Sequence, residues 1–231
     1  MAESTLLRAL GEPARGPSGP ARVEVRGWLV DDRSAEGPLR LVDCSSVTKF
    51  EVQADPTGAL AGQLAVAVGE SELFEAGIVG ASPAPGEWHL FVPGATDGLL
   101  RLLEGVAAEE FVTVVEVTHG RALLRLSGLD APRVLSLLCG LDLSDAAYPS
   151  GRVTVAPVAG TRTLVLRDDV FADELSLAAG DAAEEVDVPS YLLCCDRSSG
   201  QWLAERIVVA GAPFGLELEG YAPYRARRDD V

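Results

Sequence analysis

Apolar and polar positions make their clearest pattern over residues 112–143. Val112, Val114, Val115 and Val117 form an apolar, β-branched run. Ala122, Leu124 and Leu126 then alternate with Leu123, Arg125 and Ser127. The run reads as a strand, and the two-residue period that follows it as a half-buried one. His119-Gly120 between them predicts a turn, because glycine takes a positive φ without steric cost. Asp130 then stands as a helix cap, with Pro132 in the first turn and Val134, Leu135 and Leu138 on one face. Cys139-Gly140 gives the stop. The pattern predicts a β-hairpin feeding a short amphipathic helix.

The same vocabulary recurs on both sides. Residues 39–44 and 48–52 read as strands and 57–68 as a helix. Residues 77–82 and 87–92 are strands around an S-P-A-P-G turn, and 97–103 is a helix capped by Thr96 or Asp97. Downstream, 152–167 reads as a hairpin, 186–195 as a strand and 198–209 as a helix. Residues 22–30 form a strand interrupted at Gly27. The halves overlay at an offset of about 73 residues. At that offset L-V-D-C-S-S-V-T-K-F-E-V falls on V-V-E-V-T-H-G-R-A-L-L-R; further along, W-H-L-F-V-P is matched with Y-L-L-C-C-D. Two such units predict an α+β fold of two related lobes forming a pseudo-dimer. The lobes are expected at 21–110 and 111–222. A mobile, Pro/Gly-rich arm is expected at 1–20, and a C-terminal tail at 223–231.

Composition narrows the function classes. The chain has 231 residues, 48% of them hydrophobic, enough to build a core. Its net charge of −16 disfavours nucleic acid and anionic membranes as partners and favours a basic one. Lys49 is the only lysine. No apolar stretch reaches the length of a membrane span, and the start lacks a secretory core, so a cytoplasmic protein is expected. Four cysteines, with Cys194 and Cys195 adjacent, have neither disulfide-framework nor metal spacing and read as small buried residues.

Candidate chemistry is sparse. No G-x-S-x-G elbow surrounds a serine, and phosphate-cradling glycine loops are missing. His119 reads as a turn residue and His89 as a strand residue beside Trp88. Most of the acidic pairs read as solvated edges; Asp168-Asp169 follows a strand directly and could face a pocket, but nothing positions a matched acid and base there. The large polar and aromatic residues Trp88, Arg167, Tyr191, Trp202 and Arg206 are the candidate pocket or interface set, since Trp, Tyr and Arg dominate binding hot spots. Trp202 and Arg206 lie four apart on a predicted helix and share a face, where the guanidinium can stack on the ring.

The run S-G-L-D-A-P-R-V-L-S-L-L-C-G-L-D-L, then Y-P-S-G, then W-L-A-E-R-I-V-V-A-G-A-P-F-G-L, resembles the gamma subunit of heterotetrameric sarcosine oxidase. That family belongs to the folate-binding aminomethyltransferase-like superfamily, with the glycine-cleavage T-protein. The resemblance spans residues 86–220, is weaker over 39–60, and implies lobes of the ferredoxin-like, ββαββα type. At the turn where the T-protein carries its catalytic aspartate, this chain has Ala159-Gly160-Thr161 followed by Arg162. Leu192 stands at the position of the pterin-gripping glutamate, and Gly215-Leu216 continues as Glu217-Leu218 in place of the relatives' closing Ala-Arg-Asp. The resemblance therefore implies a non-catalytic assembly subunit of a flavin-dependent amine oxidase. Its partners would be flavoprotein subunits or further copies of itself. It would hold no cofactor firmly; tetrahydrofolate is the ligand that the superfamily would bring. The alternative is a stand-alone folate-fold enzyme of specialised metabolism. That enzyme would work without the usual aspartate, in an inter-lobe pocket for a small molecule lined by Trp88, Arg167, Tyr191 and Trp202.

Overall fold

The computed structural model describes residues 2–6, 22–31, 33–171 and 187–221. The chain enters through β1 (Ala2–Glu3), β2 (Arg22–Val25) and β3 (Trp28–Asp31), a small sheet in the order β1-β3-β2. Of the arm expected over residues 1–20, the first residues are built into the fold. Leu6 is buried, and its N–H donates to Asp43 Oδ2 at 3.0 Å. Residues 7–20, and the tail expected at 223–231, lie outside the described residues.

The first unit runs β4 (Leu39–Asp43), β5 (Thr48–Gln53), α1 (Ala59–Leu64), β6 (Glu70–Leu73), β7 (Val79–Ala84), β8 (Glu87–Val92) and α2 (Asp97–Ala107). The second repeats that order. It runs β9 (Thr113–Glu116), β10 (Arg121–Gly128), α3 (Ala131–Ser136), β11 (Val153–Val158) and β12 (Thr161–Arg167). The short β13 (Val170–Phe171) and β14 (Asp187–Val188) follow, then β15 (Ser190–Asp196) and α4 (Arg197–Gly211). One further strand, β16 (Glu217–Tyr221), follows α4. The fold is α+β, as the periodicity predicts.

The two sheets trade strands. One has the order β6-β7-β8-β5-β9 and the other β11-β12-β15-β10-β4-β16. Each unit's first strand therefore leaves its own unit and pairs in the other's sheet: β9 lies antiparallel to β5, and β4 antiparallel to β10. This corrects the hairpin expected over residues 112–128. The local pattern of β9 and β10 is strand-like, but the turn at Thr118–Gly120 carries the chain from one sheet to the other. Two helices also end sooner than expected. In α1 a left-handed Ala65 at φ 51° stops the helix well before residue 68. α3 stops at Ser136, short of Leu138, and at its start the Asp130 side chain makes no capping bond; its carboxylate accepts from Arg133 at 2.8 Å instead. The sequence reading missed β6 and β16, which are short and rich in glutamate.

Alternation along the strands sorts side chains into three cores. Phe50, Val52, Trp88 and Leu90 face α1 and α2. Leu124, Leu126, Tyr191 and Leu193 face α3 and α4. The opposite faces meet between the sheets through Val42, Val79, Phe91, Leu123, Leu164 and Leu192. In α4 the period-3.6 set Gly200, Leu203, Ala204, Ile207 and Gly211 is buried, and a Cβ at Gly200 would stand 2.6 Å from the Ala122 Cβ.

Where β10 ends beside β4, Gly128 adopts φ 141°, and a Cβ there would meet the Pro38 carbonyl at 2.3 Å. Gly128→Ala is expected to destabilise the protein by about 2 kcal/mol or more through backbone strain and collision. The helical, uncrowded Gly62→Ala is expected to stabilise it by about 0.5–1 kcal/mol. Urea unfolding of the two variants checks the contrast.

Candidate functional site

The space between the sheets is closed by apolar side chains and ends at Lys49, which is 1% exposed. Its ammonium donates to the Ser45 and Val47 carbonyls at 2.7 and 2.8 Å, tying down the turn where the chain crosses between sheets. Burial lowers its pKa from 10.5 to about 8, against the pull of the Cys194 thiol and the Asp43 carboxylate. Burial pushes the neighbouring thiols the other way, Cys44 to about 12 and Cys194 to about 11. Both remain protonated at neutral pH and are poor nucleophiles.

The five residues singled out from the sequence fall into two pairs and one single. Arg167, 4% exposed, is held bidentately by Asp169 at 2.8 and 2.9 Å. It also donates to the Tyr148 carbonyl and to Asp145, each at 2.7 Å. Burial opposes its charge, but its hydrogen bonds to the Asp169 and Asp145 carboxylates outweigh burial and raise its pKa. Its guanidinium stands 5.9 Å from the ring of Tyr191. Tyr191 is buried, its hydroxyl has no hydrogen-bond partner among the described residues, and burial pushes its pKa to about 12. Trp202 and Arg206 do share a helical face, with the guanidinium 5.5 Å from the ring. The indole N–H reaches the Ala159 carbonyl at 3.0 Å. Trp88 joins neither pair and packs against Val52, Leu60 and Leu103 under the first unit's helices. The five residues therefore do not surround one inter-lobe cavity. Arg167, Tyr191 and Trp88 lie on the helix-covered sides of their sheets, away from the space between them.

The Asp168-Asp169 pair also resolves. Just past the end of β12, Asp168 pairs with Arg125 on one side and Asp169 with Arg167 on the other. His89 is bonded to Glu87 at 2.9 Å, and His119 stacks on Trp28 with ring centroids 5.3 Å apart. Among the described residues no cluster of three or more His, Cys, Asp or Glu could hold a metal, and no helix is long and apolar enough to cross a membrane.

Features beyond the sequence reading lie at the surface. A cavity of about 450 Å³ opens where β6 meets the loop before β11, lined by Glu70, Ser71, Glu72, Pro149, Ser150 and Arg152. Its walls come from strands and turns far apart in sequence, joined by a 2.7 Å bond from the Ser71 N–H to the Gly151 carbonyl. Large apolar residues are exposed at Leu129 and Leu137 around α3, at Trp202 and Val209 on α4, and at Phe111, Val114 and Val115 around β9.

The buried charges make two expectations. Arg167→Met leaves Asp169 buried without its cation and is expected to destabilise by about 3–5 kcal/mol, whereas exposed Asp145→Asn is expected to stay below about 1 kcal/mol. Thermal and urea unfolding give both values. For Lys49 the folded pKa lies below the unfolded one, so the unfolded chain binds more protons between pH 8 and 10.5. Wild-type stability relative to Lys49→Met is therefore expected to rise across that window by about 3 kcal/mol. Urea titrations at several pH values test this, and a pH-independent difference would contradict it.

Comparison with known proteins follows the same lines. The search of curated proteins finds no match. Among solved structures, heterotetrameric sarcosine oxidase from Corynebacterium sp. U-96, in complex with pyrrole 2-carboxylate, has a similar chain. It is 20% identical with a TM-score of 0.62, and the match covers 91% of this chain and 95% of that one. The glycine cleavage system aminomethyltransferase T from Bartonella henselae is 17% identical with a TM-score of 0.64. That match covers 94% of this chain and 59% of the aminomethyltransferase, so the present chain spans little more than half of it. These likenesses establish the fold. The family model described as sarcosine oxidase, gamma subunit, matches residues 53–179, more than half of the sequence, and the chain belongs to that family.

Proposed function

We propose that this chain is a non-catalytic assembly subunit of a sarcosine-oxidase-like, flavin-dependent amine oxidase, working in the cytoplasm with the redox chemistry carried by partner flavoprotein chains. The observation that carries the reading is the seam between the sheets. Leu192, at the position the superfamily comparison gives to the pterin-gripping glutamate, is fully buried there among Val42, Leu123 and Leu164. The turn matched to the catalytic aspartate is likewise committed to structure. Ala159 donates its N–H to the Leu138 carbonyl at 2.7 Å and accepts from the Trp202 indole. The other positions of that comparison serve the fold too: Glu217 accepts from the N–H groups of Glu36 and Gly37 at 2.9 Å each. On this reading the scaffold of a folate enzyme has become solid, and the chain acts through its surfaces.

Purified alone, the protein is expected to show no visible absorbance and no oxidase activity on sarcosine. Co-expressed with flavoprotein subunits encoded beside it, it is expected to co-elute as a stoichiometric, coloured complex. A monomer that stays separate from those chains in gel filtration would refute the proposal.

A further inference from the structure

The internal repeat places a specific interaction edge on this subunit. By pairing and order, β9 in the five-stranded sheet corresponds to β4 in the six-stranded one, since each is its unit's first strand and each pairs with the second strand of the other unit. The two differ on their outer sides. β4 is covered by β16 in parallel, whereas β9 pairs on one side only among the described residues.

The phase of the β9 ladder is set by the bond from the Val117 N–H to the Lys49 carbonyl at 2.8 Å. Antiparallel alternation then turns the backbone groups of Thr113 and Val115 toward β5, and those of Val114 and Glu116 outward. The strand pairs with β5 without a bulge, and between Phe111 and Val117 it carries neither lysine nor proline, the usual guards of a free edge. Its apolar side chains are exposed on both faces, Val115 at 49% on one and Val114 at 36% on the other, and Phe111, just before the strand, is 87% exposed. Glu116, also exposed, ends the strand, and exposed Glu109 lies four residues before its start.

We propose that the outer edge of β9 is the docking strand of this subunit, completed by an extended segment of a partner chain that adds a sixth strand. The segment is apolar at the positions meeting Phe111, Val114 and Val115, and basic where it meets Glu109 and Glu116. Main-chain pairing supplies the affinity and the side-chain contacts supply the choice of partner. Charge selects the occupant. A second copy would bring together two chains of net charge −16 and set acidic strands side by side, whereas a basic segment complements both. The inference rests on the assembly-subunit reading and assigns the surface that reading needs.

The test uses the full chain co-expressed with its neighbouring flavoprotein subunits. Val114→Pro removes an outward N–H without touching the β5 ladder, and Val115→Lys places a charge on the edge; both are expected to keep the wild-type melting temperature. Each is expected to weaken the complex by about tenfold or more. In the wild-type complex, hydrogen exchange at the Val114 and Glu116 amides is expected to slow, a signature that side-chain docking alone would not produce. A wild-type complex that both variants join with unchanged affinity, or in which those amides exchange as in the isolated protein, overturns the β9 assignment and leaves the subunit role standing. Failure of the wild type to form any complex overturns the subunit role itself and the assignment with it. Concentration-dependent protection of the same amides in the protein alone identifies a second copy as the occupant and overturns the partner assignment.

Discussion

The apolar seam between the two sheets is the contact on which the molecule depends. Val42 and Leu123 reach it from strands that began in different units, because β4 and β9 cross over before the sheets close. Exchange and seam reinforce one another. Neither sheet has its full set of strands without the other unit, and neither has a covered inner face without the other sheet. Each large aliphatic side chain buried there contributes roughly 1.5–3 kcal/mol. Spread over both units, that driving force makes independent unfolding of one lobe unfavourable. The repeat is therefore one cooperative body in energetic terms, although its sequence reads as two.

Polar groups are admitted to this body under tight terms. Lys49 is buried at the crossover with two carbonyls as acceptors, and its unique presence in an arginine-rich chain fits that geometry. A guanidinium is always charged and presents five donors, whereas an amine can approach neutrality in a site that offers two acceptors. Arg125 and Arg167 show the converse case. Each is held by a carboxylate from the same Asp-Asp pair, one on either face of the sheet. The pair, just past the end of β12, divides between the two faces and gives each arginine its own counter-ion.

Much of this was legible in the sequence, and the rest was missing for physical reasons. Strand identity was legible because burial imposes a period. Ala122, Leu124 and Leu126 alternate with Leu123 and Arg125 and sit in different cores. Strand partnership was not legible, because a turn such as Thr118–Gly120 looks the same whether it folds a strand back or passes it to another sheet. The offset that lays residues 41–52 on 114–125 held the missing information, since two repeats with equivalent first strands can exchange them reciprocally. The pairing of Trp202 with Arg206 was readable from helical spacing, and that of Arg167 with Tyr191 was not, since it depends on register between β12 and β15. Trp88 shares residue type with the others and nothing of their environment.

The helix-facing and seam-facing sides of the sheets also explain why large polar residues are a poor guide to a ligand site in this chain. Arg167 spends its donors on Asp169, Asp145 and the Tyr148 carbonyl, and Trp202 its one donor on Ala159. A group already bonded in this way must lose those bonds before it can greet a ligand, at a cost of the same order as the new contact would return. Main-chain edges and exposed apolar residues carry no such obligation. Recognition by this protein is therefore expected where the fold has left side chains and backbone uncommitted, at strand edges and helix faces, and these are the places that short sequence motifs describe least well.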